Sequence, residues 1–299
     1  MLKKIRPYIS IILLISALAL ATIYLSKNPA LIDRFLKTPL ILIFGLLGLY
    51  LIVFSSLAIK FAASLKVCHF SINSIENAKL TAHMLLINFF IPGQGGPIYL
   101  GAYLLKKHKL KVKNYIAATA LYYVIYAVLS VFMLLSPSRP WWQVLIAISL
   151  TLAVGYYLSK SYIKKAHIQK SALDFSLRTL IILTLATIFQ LIIQTVIYGL
   201  ELHSVLPTVH LSQIITYSGA ANLALFVSVT PGGIGVREAF LLFSEKLNHL
   251  SSSNIILASL IDRSIYIVFL LIIIFMTSVY HFRLNWQKPK PAKKELMKV

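Results

Sequence analysis

Apolar runs separated by short, lysine-rich polar segments fill this chain. Six of the runs are long enough to cross a bilayer: residues 8–26, 39–59, 115–135, 142–158, 179–201 and 254–281. About 20 apolar residues in a helix cover the ~30 Å hydrocarbon layer, and a helix satisfies its own backbone polar groups there. The pattern therefore predicts an all-α polytopic membrane protein with no room for a soluble domain of ordinary size. The first run follows Lys3, Lys4 and Arg6, as a signal peptide's would, but its 19 residues favour a retained helix.

Two further apolar segments are interrupted. In "AKLTAHMLLINFFIPGQGGPIYLGAYLL", Pro92-Gly93-Gln94-Gly95-Gly96-Pro97 divides residues 78–91 from 98–105. As helices these pieces are ~21 Å and ~12 Å long, so neither spans alone. In "LSQIITYSGAANLALFVSVTPGGIGVREAFLLF", Pro231-Gly232-Gly233-Ile234-Gly235 makes the same kind of break, although the arm at 211–229 nearly suffices to span. Each segment is either one broken span or a re-entrant hairpin.

Charge decides between them. The chain is 59% hydrophobic and 12% charged, with mean hydropathy +0.82, and its 29 Lys and Arg exceed its 8 Asp and Glu. A net charge of +21 would suit nucleic acid, but these residues cluster in short loops, where they orient a membrane protein. With both segments re-entrant and the N-terminus cytoplasmic, inside loops carry 22 Lys and Arg against 5 outside. With both spanning, the tally is 13 against 14. The positive-inside bias selects the hairpins. The expectation is six full transmembrane helices plus two oppositely oriented re-entrant hairpins in one domain, residues 1–282. Both termini would face the cytoplasm, at the cell membrane. The tail from 283, "RLNWQKPKPAKKELMKV", reads as disordered and attracted to the anionic cytoplasmic leaflet; no nucleic acid partner is expected. Cys68 is the single cysteine, which excludes an internal disulfide, and no Cys/His spacing calls for a metal or other cofactor.

The order span, span, hairpin, span occurs twice, over residues 8–135 and 142–281, in opposite orientation. Broken helices at matching places in inverted repeats point to a transporter with its site near the midplane. A helix that starts after a Gly-rich turn aims free N–H groups and its positive dipole end at whatever lies beyond. Glycine also permits close approach of a ligand. The expected ligand is a phosphate or carboxylate. The alternative is that Pro and Gly only kink packed helices.

Arg237 and Glu238 open the short arm of the second hairpin, and Asp262 and Arg263 lie well inside the last run. Each isolated charge at such depth costs at least about 2.5–3.5 kcal/mol. Cross-pairing of Arg237 with Asp262 and of Arg263 with Glu238 would pin the hairpin to the last helix. A functional role adds recruitment of an anionic headgroup by the arginines. Asn88 and Asn222 flank the breaks and either cap freed backbone or line a cavity. Gln190 and Gln194 read as inter-helix hydrogen bonds, His83 as a packed polar residue, and Trp141 and Trp142 as interfacial anchors.

"VTPGGIGVREA", "NFFIPGQGGPIYLGAYLLKK" and "ASLIDRSIYIVF" give the chain a resemblance to the flippase-like family typified by the membrane domain of lysylphosphatidylglycerol synthase. The resemblance implies roles for Pro231, Gly232, Gly233, Gly235, Arg237, Glu238 and Arg263. Family members often carry an acidic residue and an arginine soon after the first Pro-Gly, where this chain has Pro97 and Gly101. The synthase's soluble aminoacyl-transferring domain has no counterpart here, so lipid aminoacylation is not expected of this chain alone.

Three functions remain in view. The leading one is a flippase for an anionic, phosphate-bearing lipid. A membrane enzyme or enzyme subunit acting on polyprenyl-phosphate sugars is a second, although no Asp-x-Asp, His cluster or nucleophile–base pair supports it. A proton-coupled carrier of a small soluble anion is the third.

Overall fold

The computed structural model describes residues 36–91, 95–137, 139–165, 177–227, 230–233, 235–243, 245–248 and 250–286, with isolated positions before them. Residues 8–25 of the expected first span, residues 287–299 of the basic tail, and Pro92, Gly93 and Gln94 lie outside the described residues. The first four residues of the tail, 283–286, continue the last helix instead of being disordered, because the helix runs on past its apolar core.

What is described is helical, and the helices sit where the apolar runs predict. They are α1 (Leu40–Val67), α2 (Ser74–Phe90), α3 (Gly95–His108), α4 (Val112–Leu135) and α5 (Trp141–Lys165). There follow α6 (Leu177–Val205), α7 (Leu211–Ala224), α8 (Val236–Phe243), α9 (Glu245–Asn248) and α10 (Ser252–Trp286). By length and apolarity α1, α4, α6 and the Ser252–Val279 part of α10 can each cross a membrane. The helices outrun their apolar cores, because a polar end still satisfies its backbone in the headgroup layer. Lys60 is one consequence: assigned to a loop by its charge, it lies inside α1 and is buried. Removing it from the loop tally leaves the charge asymmetry intact.

In both interrupted segments the two helical arms pack on each other. The α2 and α3 arms have 17 and 14 residues, ~25 Å and ~21 Å, longer than the apolar core predicts yet short of a span. Asn73 caps α2 by accepting the Glu76 N–H at 2.7 Å. The Glu76 side chain in that first turn meets the last turn of α3. Its Oε1 accepts from Lys107 Nζ and Tyr103 Oη, each at 2.8 Å, and lies 2.8 Å from His108 Nε2. One carboxylate thus clasps the open end of the hairpin. Burial alone would push the Glu76 carboxyl up; the hydrogen bonds from Lys107, His108 and Tyr103 outweigh it and hold it at about 2. A lowered acid stabilises the fold above its unfolded value of 4.5 and loses that contribution as pH falls toward 2. Glu76→Gln is accordingly expected to reduce stability by about 1–2 kcal/mol near neutral pH, less than a buried pair because Lys107 is half exposed. Thermal unfolding in detergent measures it, and the gap between variant and parent should close in strong acid.

In the second hairpin, the α-helical part of the first arm stops at Ala224 and gives way to a 3-10 turn at Leu225–Val227. The long arm that nearly sufficed to span is therefore cut short, and α8 returns against α7.

Packing between elements comes in matched pairs. Helix α1 lies on α6; α4 lies on α7 and α10 on α2; α2 lies on α1 and α7 on α6. The main core, with Tyr50, Leu46, Ile197, Leu202, Tyr217 and Ile261, sits where α1, α6, α7 and α10 converge.

Candidate functional site

The break before α8 is built on glycine. Gly232, Gly233 and Gly235 have φ of 61°, 69° and 82°, a region that side-chain-bearing residues rarely enter. Helix α8 then places Arg237 and Glu238 in its first turn. Glu238 reaches back, and its Oε2 accepts the Gly235 N–H at 2.7 Å, the acidic half of a capping box. This corrects the expectation of a wholly open helix N-terminus: one of the donors thought to await an anion is taken by the chain's own carboxylate.

The remaining charges pair across 25 residues of sequence. Arg237 Nη1 donates to Asp262 Oδ2, whose other oxygen accepts from Tyr50 Oη, and both members of the pair are buried. The guanidinium lies 5.3 Å from the Tyr198 ring centroid. Arg263 makes the second pair, Nε to Glu238 Oε1 at 3.2 Å, and its Nη1 donates to the Gly232 carbonyl at 2.6 Å. Ser259 Oγ donates to the same Glu238 oxygen at 2.9 Å. The cross-pairing expected from spacing is therefore present. It is unequal, since Arg263 and Glu238 keep partial exposure where Arg237 and Asp262 have almost none.

Beside these pairs lies a cavity of about 230 Å³. On its wall α1 contributes Tyr50, Val53, Phe54, Leu57 and Lys60, one stripe at helical spacing. Gln190, Gln194 and Tyr198 form the facing stripe of α6, and Arg237, Asp262, Arg263 and Gly232 close one region of it. The two hairpins meet there: a Cβ on Gly232 would stand 2.9 Å from Phe89 of α2, and Phe89 also packs on Tyr266.

The other predicted positions divide. Asn88 lines the cavity while its Oδ1 accepts the Gly96 N–H at 2.8 Å, so both roles considered for it hold. Gly95 and Gly96 are packing glycines. A Cβ on Gly96 would come 2.6 Å from the Met84 carbonyl oxygen, and one on Gly95 2.8 Å from Ile91, so the arms of the first hairpin could not close on larger residues. Neither lines the cavity wall, nor do Gly233, Gly235 or Pro231, which shape the second break. Asn222 is buried away from the cavity, accepting from Tyr126 Oη at 2.9 Å. Gln194 accepts from Tyr126 at 3.2 Å, and both glutamines face the cavity rather than only a neighbouring helix. His83 packs against Tyr99. Trp141 and Trp142 are exposed, as interfacial anchors would be.

Two charged residues escaped the sequence reading. Lys60 reads as a loop charge in the sequence, yet it lies within α1 and is buried. Glu201 ends an apolar run in the sequence, yet it is fully buried. Asp262 and Arg237 are the charged groups that face it. The available signal was the same for both: an ionisable residue with apolar sequence on each side.

The family model described as "Lysylphosphatidylglycerol synthase TM region" matches residues 9–274. No curated protein matches the chain.

Proposed function

This chain belongs to the lysylphosphatidylglycerol synthase TM region family, and from that premise we propose that it is a flippase-type transporter moving an anionic, phosphate-bearing lipid between leaflets. It is a multi-pass membrane protein by its long apolar helices and its family. The finer topology is part of the proposal: six spans and two re-entrant hairpins in an inverted repeat at the cell membrane, with both termini cytoplasmic. The matched packing of α1 with α6, of α4 on α7 and α10 on α2, and of α2 on α1 and α7 on α6 is what an inverted repeat would produce. The Glu76 clasp supports a hairpin whose two ends share one side.

The observation that carries the function is the cavity between the hairpins with Arg237 and Arg263 on its wall. Its 230 Å³ is below the roughly 300–1,000 Å³ of a drug-sized pocket. A headgroup fits that scale, while the acyl or prenyl chains stay in lipid. Non-helical backbone at Gly232 is tolerated at such depth because it lines the cavity. The reading is of a carrier rather than an enzyme, with a membrane lipid as partner.

Two measurements test it. Cysteines introduced at Lys109 and Ser251 in a Cys68→Ser background should label from opposite sides with an impermeant thiol reagent, position 251 from outside. Labelling of position 109 from outside would remove the re-entrant topology. In proteoliposomes the purified protein should accelerate leaflet exchange of labelled phosphatidylglycerol over protein-free vesicles; no acceleration of any anionic lipid sinks the flippase reading.

A further inference from the structure

Lys60 is a buried basic residue that no described carboxylate pairs with. It lies 20 residues into α1 and is only 3% exposed. The two arginines of the cavity each have a carboxylate, whereas Lys60 has neither ion pair nor hydrogen bond among the described residues. Its Nζ stands 4.7 Å and 5.3 Å from the ring centroids of Tyr122 and Tyr126. Two ring faces compensate part of the cost of burying an ammonium, but they leave its three donors without acceptors. Those donors have one place to find an acceptor, since Lys60, Tyr122 and Tyr126 all lie on the cavity wall. Gln190, also on that wall, is nine-tenths buried or more and its Oε1 has no partner.

Position along the cavity matters as much as charge. The α1 stripe runs from Tyr50, bonded to Asp262, to Lys60, ten residues or ~15 Å further along the helix. The cavity therefore has two cationic ends on opposite sides of its aromatic middle. At the arginine end each guanidinium has its own carboxylate, and buried Glu201 also faces Arg237 and Asp262. At the lysine end no carboxylate stands among the described lining residues.

We propose that Lys60 is an anion-binding residue at a second pole of this cavity, receiving a phosphate oxyanion of a phosphomonoester or phosphodiester on the side of its ammonium that faces the cavity, while the Tyr122 and Tyr126 ring faces hold the other side. This rests on the flippase reading only for the source of the phosphate, a lipid headgroup. An anion crossing the cavity then exchanges one cationic partner for another instead of leaving a single deep site, as conduction through multiple moderate sites requires.

Isothermal titration of the full-length protein in a neutral detergent tests this, with short-chain phosphatidylglycerol, short-chain phosphatidylcholine and inorganic phosphate as probes. The parent should prefer phosphatidylglycerol over phosphatidylcholine. Lys60→Met should reduce phosphatidylglycerol affinity about ten- to a hundredfold, the range of a charge-assisted contact, and erase the preference. Lys60→Arg should retain it. The Met variant should unfold no earlier than the parent, because it removes an uncompensated buried charge, so a folding defect is distinguishable. If inorganic phosphate binds the parent, fails on Lys60→Met, and the short-chain lipid binds neither, the site stands and the lipid reading falls. Equal preference in the parent and the Met variant overturns the Lys60 site; if Arg263→Gln alone then loses the lipid, the flippase reading survives without it. A parent that binds no anionic probe overturns the proposal as well.

Discussion

Arg263→Gln should abolish lipid transport in a protein that still folds, whereas Arg237→Gln should cost about 3–5 kcal/mol of stability. The difference comes from what each guanidinium leaves behind. Arg237 and Asp262 are both buried, so losing the arginine strands a carboxylate whose remaining donor is the Tyr50 hydroxyl. Arg263 is partly exposed on the cavity wall, and its partner Glu238 keeps the Gly235 N–H and Ser259 when it is gone. A charge swap between positions 238 and 263 would be a poor control, since an arginine at 238 loses the cap and opposes the positive end of α8. Glu238→Gln is cleaner. It retains a carbonyl oxygen to cap α8 and frees the guanidinium of Arg263. If Arg263 meets the headgroup, Glu238→Gln keeps transport while Arg263→Gln loses it. Equal loss in both, measured by phosphatidylglycerol exchange in proteoliposomes alongside thermal unfolding, would mean that Arg263 acts only through its ion pair.

Gly219→Leu is expected to give no folded protein, and even Gly219→Ala to cost about 1–3 kcal/mol or more. A Cβ there would stand 2.7 Å from Leu134 Cα and 2.8 Å from the Ser130 carbonyl oxygen, with the Leu134 nitrogen nearer still. These are backbone atoms of α4, which cannot rotate away as a side-chain tip can. The crossing of α4 on α7 depends on this contact, as small residues permit close helix approach in membranes. Gly48→Ala is the matched control. It lies in α1 with nothing within 4 Å of its would-be Cβ, so the same change should be neutral or stabilising by up to about 1 kcal/mol. Thermal unfolding of the two alanine variants in one detergent makes the comparison. A Gly219→Ala protein as stable as its parent would show that the two helices can separate at little cost.

The contrast between these two glycines also measures how far the residues alone could take the reading. Gly219 stands among small residues, Ser218, Ala220 and Ala221, which hint at close helix approach, while Gly48 stands among leucines; which backbone comes close, and how close, is not written in either stretch. The same holds for Lys60. Seven residues from the end of α1, a lysine can extend its stem along the helix to water or point into the bundle, and the flanking residues permit either. Burial in the cavity follows from what α4 brings to that side, Tyr122 and Tyr126. Glu201 is similar: a charge near the end of an apolar run reads as the end of the span, and only the packing of α7 and α10 around α6 encloses it.

Length and apolarity alone determined the helical spans, because hydrocarbon leaves the backbone no other economical structure. Proline and glycine determined where two segments break, and the required left-handed backbone at Gly232, Gly233 and Gly235 is a property of those residues. Spacing was enough to foresee which arginine meets which carboxylate, since few ions lie at depth and each needs a partner. Tertiary structure alone decided the rest. It brought Tyr50 to Asp262 across 212 residues of chain, set Phe89 of one interrupted segment against Gly232 of the other, and left Lys60, among the described residues of the cavity wall, as the basic group without a carboxylate. The physical reason is that backbone satisfaction and turn geometry are short-range and written locally. Which buried charge keeps a partner, and which faces empty space, depends on side chains that share a cavity without being near in sequence.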